Sequence, residues 1–237
     1  MRPRQPAPAG RLGDLGLPAE QLRRHIAWDV GAEDLAESFA RRYGARAVLA
    51  GYSRLAIDLN RYPQDPQSIA PASDGTPVPG NHGLGPAERE RRVAEIFAPY
   101  HARVARELDT LGRLGLRPLV FSVHTMTNRL GGGAERPQQI TVCSVQAEPW
   151  ALLALDALHA AGDIVVGHNR PYAVDLGIDY TVPEHAIRRG LPWLQIEFRQ
   201  DLVATPAAAQ AWADRFAPAL ERVLEAVTRQ GTGTAAE

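Results

Sequence analysis

The feature that most constrains the fold is an alternation, over the second half of the chain, of short apolar segments with longer segments of helical periodicity. RPLVFSVH at residues 117–124 is a nearly continuous apolar run, which is typical of a strand buried in a parallel sheet. Further strands are predicted for QITVCSV, DIVVG and LPWLQIEF, at residues 139–145, 163–167 and 191–198. Helices are predicted at residues 87–113, 149–161 and 206–227. This order predicts an α/β fold of three layers, with helices on both faces of a mostly parallel or mixed twisted sheet.

Two of the helices carry the strongest local signals. Within residues 87–113 apolar side chains recur every three or four positions, which lays an apolar stripe along one face. In the last helix Thr205 can cap the free backbone N–H groups, and Pro206 suits the first helical position. Both helices are therefore expected to cover the sheet.

The first third of the chain gives weaker patterns. Residues 18–43 are predicted to form a helix that is broken near Gly31. RAVLAGY at residues 46–52 and RLAIDL at residues 54–59 are predicted to form short strands. Residues 62–86 are rich in proline and glycine, and a loop of that length indicates a function.

The chain is expected to form one domain over residues 1–237. Residues 1–12 are predicted to be irregular, in the position of a truncated opening strand, and residues 229–237 to be a frayed tail.

Length and charge exclude several classes of protein. The chain has 237 residues, of which 45% are hydrophobic, so it can bury one substantial core. Its net charge of −1 gives no support for a nucleic-acid partner, and the absence of a long apolar run argues against a membrane helix. Cys143 is the single cysteine and cannot form an internal disulfide, so a cytoplasmic location is expected. The sequence does not indicate an oligomeric state.

The basic residues exclude further chemistry. All 26 of them are arginine, so a Schiff-base lysine, a pyridoxal phosphate site and a phosphate-loop lysine are impossible. No nucleophile elbow is present, and Cys143 lies among apolar residues, a setting that favours inert packing. Arginine in a pocket would favour a substrate that carries a carboxylate.

Polar residues at the ends of the predicted strands are the candidates for catalysis, because α/β sheets bind ligands beyond the carboxyl ends of their strands. His124 follows LVFSV directly and could bind a metal or exchange protons; the alternative is an imidazole bonded to a backbone carbonyl. Glu197 lies within LQIEFRQD, where a carboxylate is costly to bury unless it is paired or functional. It is either half of a structural pair with Arg199 or a general base.

A second set of candidates could hold the substrate. Asn60 and Arg61 in IDLNRY offer amide and guanidinium donors that suit a carboxylate, and Arg54 could stabilise an oxyanion. Asn169 and Tyr172 in GHNRPY follow another strand, and the tyrosine could close over a substrate. Arg199 is a further candidate for binding the substrate. An ordinary turn explains each of these segments as well.

One histidine outside this set could take part in metal binding. His25 and Asp29 are four residues apart on a predicted helix face, which is compatible with shared metal ligation or with simple packing. The other histidines show no grouping in the sequence and are expected at the surface; these are His82, His101, His159 and His185.

Several motifs, taken in order, resemble the N-formylglutamate amidohydrolase family. They are LGDLGLP, RHIAWDVGA, YSRLAIDLNR, PVPGN, APYH, SVHT, NRPY and GLPWLQIEFRQDL, and the resemblance extends from about residue 13 to residue 216. The resemblance implies a phosphorylase/hydrolase-like fold, similar to that of the zinc carboxypeptidases and aspartoacylases. It also implies a zinc-bound water that attacks an amide or formamide carbonyl.

The resemblance implies a role for each matching residue. His124 becomes a zinc ligand, with Asp29 as a second candidate, and Glu197 becomes the general base. Asn60 and Arg61 become the residues that bind the substrate carboxylate, and Arg54 becomes an oxyanion contact. The sequence departs from the family at residues 1–10, which hold no histidine where the family carries an opening strand and a first zinc ligand. It departs again at SVHTMTN, where the family more often has a different run after the histidine.

Three functions are compatible with these observations. The first is zinc-dependent hydrolysis of an N-acyl amino acid such as N-formylglutamate. The second is a catalytically silent homologue that binds a small carboxylate and has lost its metal site. The third is a related hydrolase that acts on another N-acyl amino acid or on a peptide.

Overall fold

The centre of the fold is a four-stranded sheet. A computed structural model describes residues 12–233. The strands are β3 (Val120–Met126), β4 (Ile140–Cys143), β5 (Val166–His168) and β6 (Trp193–Arg199), and they lie in the order β3–β6–β4–β5. β3 runs parallel to β6 and β4 runs parallel to β5, whereas β4 and β6 are antiparallel. The sheet is therefore mixed, as the sequence allowed, and the four segments predicted as strands in the second half of the chain are confirmed.

The helices divide between the two faces of the sheet. α1 (Ala32–Tyr43), α4 (Pro149–Ala161) and α6 (Pro206–Gly233) bury their apolar side chains in one large cluster with one face of the strands. The short helix α5 (Thr181–His185) packs with Cys143 and Trp193 on the opposite face. Beyond α5 lie α2 (Pro86–Arg92) and α3 (Ala98–Arg113), joined through a π-helical turn at Val93–Phe97. The three-layer prediction is thus confirmed.

Aromatic packing anchors the large cluster to the sheet. Phe39 of α1 makes an edge contact with Phe121 of β3, with ring centroids 5.0 Å apart, and Phe216 of α6 stacks on Phe121 at 5.9 Å. Phe198 of β6 completes the group against Phe216 at 5.6 Å. These rings pack two helices against two neighbouring strands, which determines the face of the sheet that is buried in the apolar core.

Helix ends agree with the local chemistry. α4 spans Pro149–Ala161, the same residues that the sequence predicts. At the start of α6 the Thr205 hydroxyl accepts a hydrogen bond from the backbone N–H of Ala208 at 3.2 Å, so the predicted cap is confirmed. No helix within residues 12–233 is long and apolar enough to span a bilayer.

The two strands predicted at residues 46–52 and 54–59 are wrong. Residues 54–59 form turns whose consecutive apolar side chains are buried, as Leu55, Ala56 and Ile57 show. Their backbone groups bond side chains and separate turns instead of a neighbouring strand: Asn81 donates to the carbonyl of Leu55 at 2.8 Å, and the N–H of Asp58 donates to the carbonyl of Ser68 at 2.7 Å. The β propensity of these residues favours strands, but tertiary packing gives their backbone N–H and C=O groups other hydrogen-bond partners.

The two-stranded hairpin of β1 (Ala72–Ser73) and β2 (Thr76–Pro77) lies within the loop of residues 62–86. The predicted helix over residues 18–43 is correct only from residue 32 onward. Before it the chain forms turns and a single 3-10 turn at Gln21–Arg23. The expected opening stretch at residues 1–11 and the end of the tail, residues 234–237, lie outside the described part of the chain.

Gly31 explains why the helix begins where it does. It has a φ of 84°, and a Cβ at this position would lie 2.3 Å from the carbonyl oxygen of Val203. Both the left-handed backbone and the close approach require glycine. The break near Gly31 that the sequence predicts is therefore confirmed.

We expect Gly31→Ala to destabilise the fold more than Gly44→Ala, its matched control at the other end of α1. Gly44 also has a positive φ, of 61°, but no atom lies within 4 Å of the added Cβ. The control should therefore lose only the strain of a left-handed alanine, about 1–2 kcal/mol. Gly31→Ala should lose a further 1–3 kcal/mol, roughly the cost of overpacking. Urea unfolding of both variants measures this difference, and equal losses would contradict the close approach.

Candidate active site

His124 and Glu197 lie side by side on the sheet. The parallel register of β3 and β6 makes them Cα partners, and Thr141 of β4 is the partner of Glu197 on its other side. Because side chains alternate along a strand, both point away from the face that holds the large apolar cluster. The site thus lies on the second face of the sheet, near the carboxyl ends of β3 and β6.

Asp29 connects His124 to Arg54. One carboxylate oxygen of Asp29 lies 2.8 Å from Nδ1 of His124, and the other accepts a hydrogen bond from Nη2 of Arg54 at 2.5 Å. The Nε2 atom of His124 lies 3.1 Å from the hydroxyl of Ser122. The Asp29 side chain is 16% exposed and that of Arg54 39%, so the guanidinium reaches from a recessed ion pair towards solvent. The two turns that carry Asp29 and Arg54 are joined by a backbone bond from the Arg54 N–H to the carbonyl of Ala27 at 2.9 Å.

These contacts change the proton affinities of the group. Burial favours the neutral carboxyl of Asp29, but Arg54 and His124 outweigh burial and lower the pKa of Asp29 to about 2. Burial also disfavours the imidazolium of His124, yet the hydrogen bond and charge of Asp29 raise its pKa to about 9. The stable form of the group at neutral pH is therefore a carboxylate between two cations.

Glu197 differs from Asp29 in its surroundings. Loss of water contact, with a smaller contribution from the negative charge of Asp29, raises the pKa of Glu197 to about 7, although His124 and Arg54 act in the opposite direction. A carboxyl with this pKa can take up and release a proton near neutral pH. The arrangement can thus serve acid–base chemistry, with Glu197 as the exchanging group.

The Asn60–Arg61 pair lies against a residue that the sequence did not single out. Asp179, which is buried, accepts hydrogen bonds from Nδ2 of Asn60 at 3.2 Å and from Nη1 of Arg61 at 2.5 Å. The side-chain oxygen of Asn60 accepts from the backbone N–H of Thr181 at 2.9 Å. Asp179 lies close enough to interact electrostatically with Glu197, so this cluster borders the site. No local pattern in GIDY marked Asp179; only its distant partners give it a role.

The other predicted substrate contacts have partners of their own. Arg199 forms an ion pair with Asp201 at 2.9 Å and donates to the carbonyl of Arg136 at 3.0 Å. The pairing of Arg199 with Glu197 that the sequence offered as an alternative is not the contact that forms. Asn169 bonds the backbone N–H of Ser144 at 2.8 Å and so links the ends of β5 and β4.

Tyr172 is an exposed residue, at 37%, beside Arg136. Its ring stacks under the guanidinium of Arg136, 5.0 Å from the ring centroid, while its hydroxyl accepts from the same residue at 3.1 Å. Tyr172 is also close enough to Arg54 to interact with it electrostatically. It remains a candidate for covering a bound substrate.

A cavity of about 520 Å³ opens beside the residues that follow β3 and β6. Thr127 and Gln200 belong to its wall, and three arginines line it, namely Arg23, Arg24 and Arg129. His25 also faces this cavity, where its Nε2 lies 3.2 Å from Asp74. The helix expected to bring His25 and Asp29 to one face does not form. Asp74 and Asp201 line the cavity too, and Arg24 pairs with Asp74 at 3.0 Å, so the lining carries charges of both signs.

The described residues fit only part of a zinc site. The carboxylate bond to Nδ1 of His124 is the usual arrangement behind a metal-binding imidazole, and a metal at Nε2 would replace the contact with the Ser122 hydroxyl. Both carboxylate oxygens of Asp29 already have partners, one in His124 and the other in Arg54. Across residues 12–233 no three His, Cys, Asp or Glu side chains come together in a way that could hold a metal ion. A catalytic zinc site usually has three protein ligands, so this part of the chain does not complete one.

A family model described as N-formylglutamate amidohydrolase matches residues 6–204. The chain belongs to this family. The resemblance carried by the ordered motifs is therefore confirmed, and the site described above lies within the matched range.

Relatives and solved structures agree with this membership. The chain is 37% identical over 102 residues to an N-formylglutamate deformylase of Pseudomonas putida and 32% identical over 103 residues to one of Pseudomonas aeruginosa. Each match covers 39% of this chain and only 38% of the relative's length. A gene product of Agrobacterium tumefaciens has a TM-score of 0.85 at 29% identity, covering 92% of this chain and 86% of that one. An N-formylglutamate amidohydrolase of Ralstonia eutropha shares the fold, with a TM-score of 0.60 at 24% identity and coverage of 92% and 89%.

We expect Asp29→Asn to lower the pKa of His124 from about 9 towards or below its usual value near 6.5. Asparagine can still accept a hydrogen bond, but it removes the negative charge and leaves Arg54 to repel the imidazolium. Titration of the histidine ring signals by NMR measures the change. Asp214→Asn is the control, because Asp214 pairs with Arg42 at the surface. An unchanged His124 titration in Asp29→Asn would refute the electrostatic role of Asp29.

Proposed function

We propose that the chain hydrolyses the amide or formamide bond of an N-acyl amino acid such as N-formylglutamate, with Glu197 as the general base. The observation that carries the proposal is the pairing of Glu197 with His124 across β3 and β6, beside the Asp29–Arg54 ion pair. Family membership supports the reaction class, since relatives over part of the chain are named N-formylglutamate deformylases.

The proposed reaction uses one water molecule and conserves all atoms. Glu197 takes a proton as the water oxygen attacks the acyl carbonyl carbon, and negative charge develops on the carbonyl oxygen. Arg54, which is partly exposed beyond its bond to Asp29, is suited to stabilise that oxygen. The C–N bond then breaks, and Glu197 returns the proton to the leaving amine. The products from N-formylglutamate are formate and glutamate.

Binding of the substrate carboxylate is assigned to Arg61, with Asn60 beside it. The Arg61 side chain is 31% exposed. Its Nη1 atom donates the hydrogen bonds to Asp179 and to the Asn60 carbonyl. Asp179 holds the guanidinium in place through Nη1. Tyr172 is proposed to cover the substrate. Roles for Arg199 and Asn169 stay predictions, since both side chains already serve structural bonds.

Zinc also stays a prediction, and the steps above do not pass through it. His124 would supply one ligand through Nε2, and Asp29 is better explained as the partner of His124 than as a second ligand. Residues 12–233 do not complete a set of three metal ligands. This observation favours the alternative, a catalytically silent protein that binds a small carboxylate.

We expect Glu197→Gln to lower kcat for N-formylglutamate by about 10²–10⁴-fold, the usual contribution of general acid–base catalysis. The wild-type rate should rise with pH through about 7, because Glu197 acts as a base only after it loses its proton. Formate release measures both effects. Glu221→Gln, on the outer side of α6 where Glu221 pairs with Arg42, is the control and should retain full activity. Substantial turnover by Glu197→Gln would show that another group is the base.

Metal analysis separates the alternatives. If zinc supports the reaction, chelation should abolish formate release, added zinc should restore it, and His124→Ala should bind less zinc than wild type. If a metal-free protein still hydrolyses the substrate after chelation, the zinc requirement is refuted but the hydrolase activity is not. Binding of N-formylglutamate without hydrolysis, with or without stoichiometric zinc, would refute the activity and support the silent homologue.

A further inference from the structure

His101 and His185 form a buried pair, so their expected surface positions are wrong. Each is only 6% exposed. Their rings stack with centroids 5.1 Å apart and an interplanar angle of 14°, and Nδ1 of His101 lies 2.9 Å from Nε2 of His185. The two residues are 84 positions apart, on α3 and α5, which explains why the sequence gives no sign of the pair.

The partners of this pair fix where its protons lie. Nε2 of His101 is 2.9 Å from the carbonyl oxygen of Leu59, which can only accept a hydrogen bond. Nε2 of His101 therefore carries a hydrogen. Burial lowers the pKa of both histidines to about 4, so both are neutral at pH 7, and Nδ1 of His101 is then an acceptor. It follows that His185 donates to His101, and His101 donates to Leu59.

This chain of hydrogen bonds ends at the residue before Asn60 and Arg61. The helix that carries His185 is also bonded to Asn60 directly, because the Asn60 side-chain oxygen accepts from the N–H groups of Tyr180 at 3.3 Å and Thr181 at 2.9 Å. The start of α5 thus holds the Asn60 side chain, and its end holds the Leu59 backbone through His101. Two independent attachments fix the turn that presents Arg61.

Space filling alone does not explain the pair. The ring of His101 packs against Phe97 and Tyr180, with centroids 4.3 Å and 4.4 Å away, so an apolar ring would satisfy the same packing. Placing two imidazoles there is costly unless their nitrogen atoms are bonded. The bonds that they make are directed at one carbonyl, that of Leu59.

We propose that His101 and His185 are a positioning pair that sets the carboxylate-binding residues Asn60 and Arg61 in place. The inference rests on the proposed function, in which Arg61 binds the substrate carboxylate. Neither histidine touches the substrate; both act through the Leu59 carbonyl and α5.

The first test compares His185→Leu with His185→Gln. Glutamine can keep an N–H donor near the position of Nε2, whereas leucine fills space without one. We expect His185→Leu to raise KM for N-formylglutamate about tenfold, the effect of one buried hydrogen bond, with little change in kcat. His185→Gln should recover most of the loss. Equal KM values in wild type and both variants, or a loss confined to kcat, would overturn the proposal.

A second test asks whether the effect passes through Arg61. Arg61→Ala should itself raise KM, and adding His185→Leu to it should raise KM by much less than tenfold more, because the residue being positioned is gone. Fully additive effects would refute the coupling. If His185→Leu does not fold, His101→Gln replaces it in both tests. Glutamine can place its N–H donor near the position of Nε2 and keep the bond to Leu59, but its oxygen does not then lie at the position of Nδ1, where His185 donates, so a smaller rise in KM is expected.

Failure of the proposed function can be told apart from failure of this inference. If wild type does not release formate, the dissociation constant of N-formylglutamate is measured by calorimetry in the same variants. A dissociation constant that rises with His185→Leu and recovers with His185→Gln supports the positioning pair in a protein that is not a hydrolase. A dissociation constant unchanged across these variants refutes the pair.

Discussion

The parallel pairing of β3 with β6 is the constraint on which the site depends. It places His124 opposite Glu197, and it is fixed by the apolar residues that alternate with them, such as Val123 and Ile196. A slip of one residue would turn Glu197 into the apolar cluster and expose Ile196. The packing that stabilises the dry face of the sheet therefore also sets the positions of the polar residues on the other face.

Charge balance then determines what those polar residues can do. Asp29 lies between His124 and Arg54 and keeps a low pKa, whereas Glu197 has no hydrogen-bonded cation within residues 12–233 and keeps a raised pKa of about 7. Two carboxyl groups in one recess thus differ in proton affinity because their partners differ. One stays ionised and orients the imidazole, and the other is free to exchange a proton.

Segments far apart in the chain supply the remaining parts of the site. Asp179 and α5 approach the turn at Leu59–Arg61 from more than a hundred residues away, and α3 contributes His101 behind it. The turn has no strand partner to hold it, so side chains and helix ends take over that function. A binding residue on such a turn can be only as rigid as the hydrogen bonds that attach it.

The sequence by itself determined the strands β3, β4, β5 and β6 and the helices α3, α4 and α6, and it singled out His124 and Glu197 as candidates. Each of these follows from local periodicity, capping residues or a polar residue in an apolar run, and such signals need no knowledge of distant contacts. Tertiary structure alone decided the turns at residues 46–59, the role of Asp179 and the pairing of His101 with His185. The physical reason is that a hydrogen bond between residues far apart in sequence leaves no periodic trace in the chain: it exists only once the core has brought both partners together and removed the water that would otherwise satisfy them.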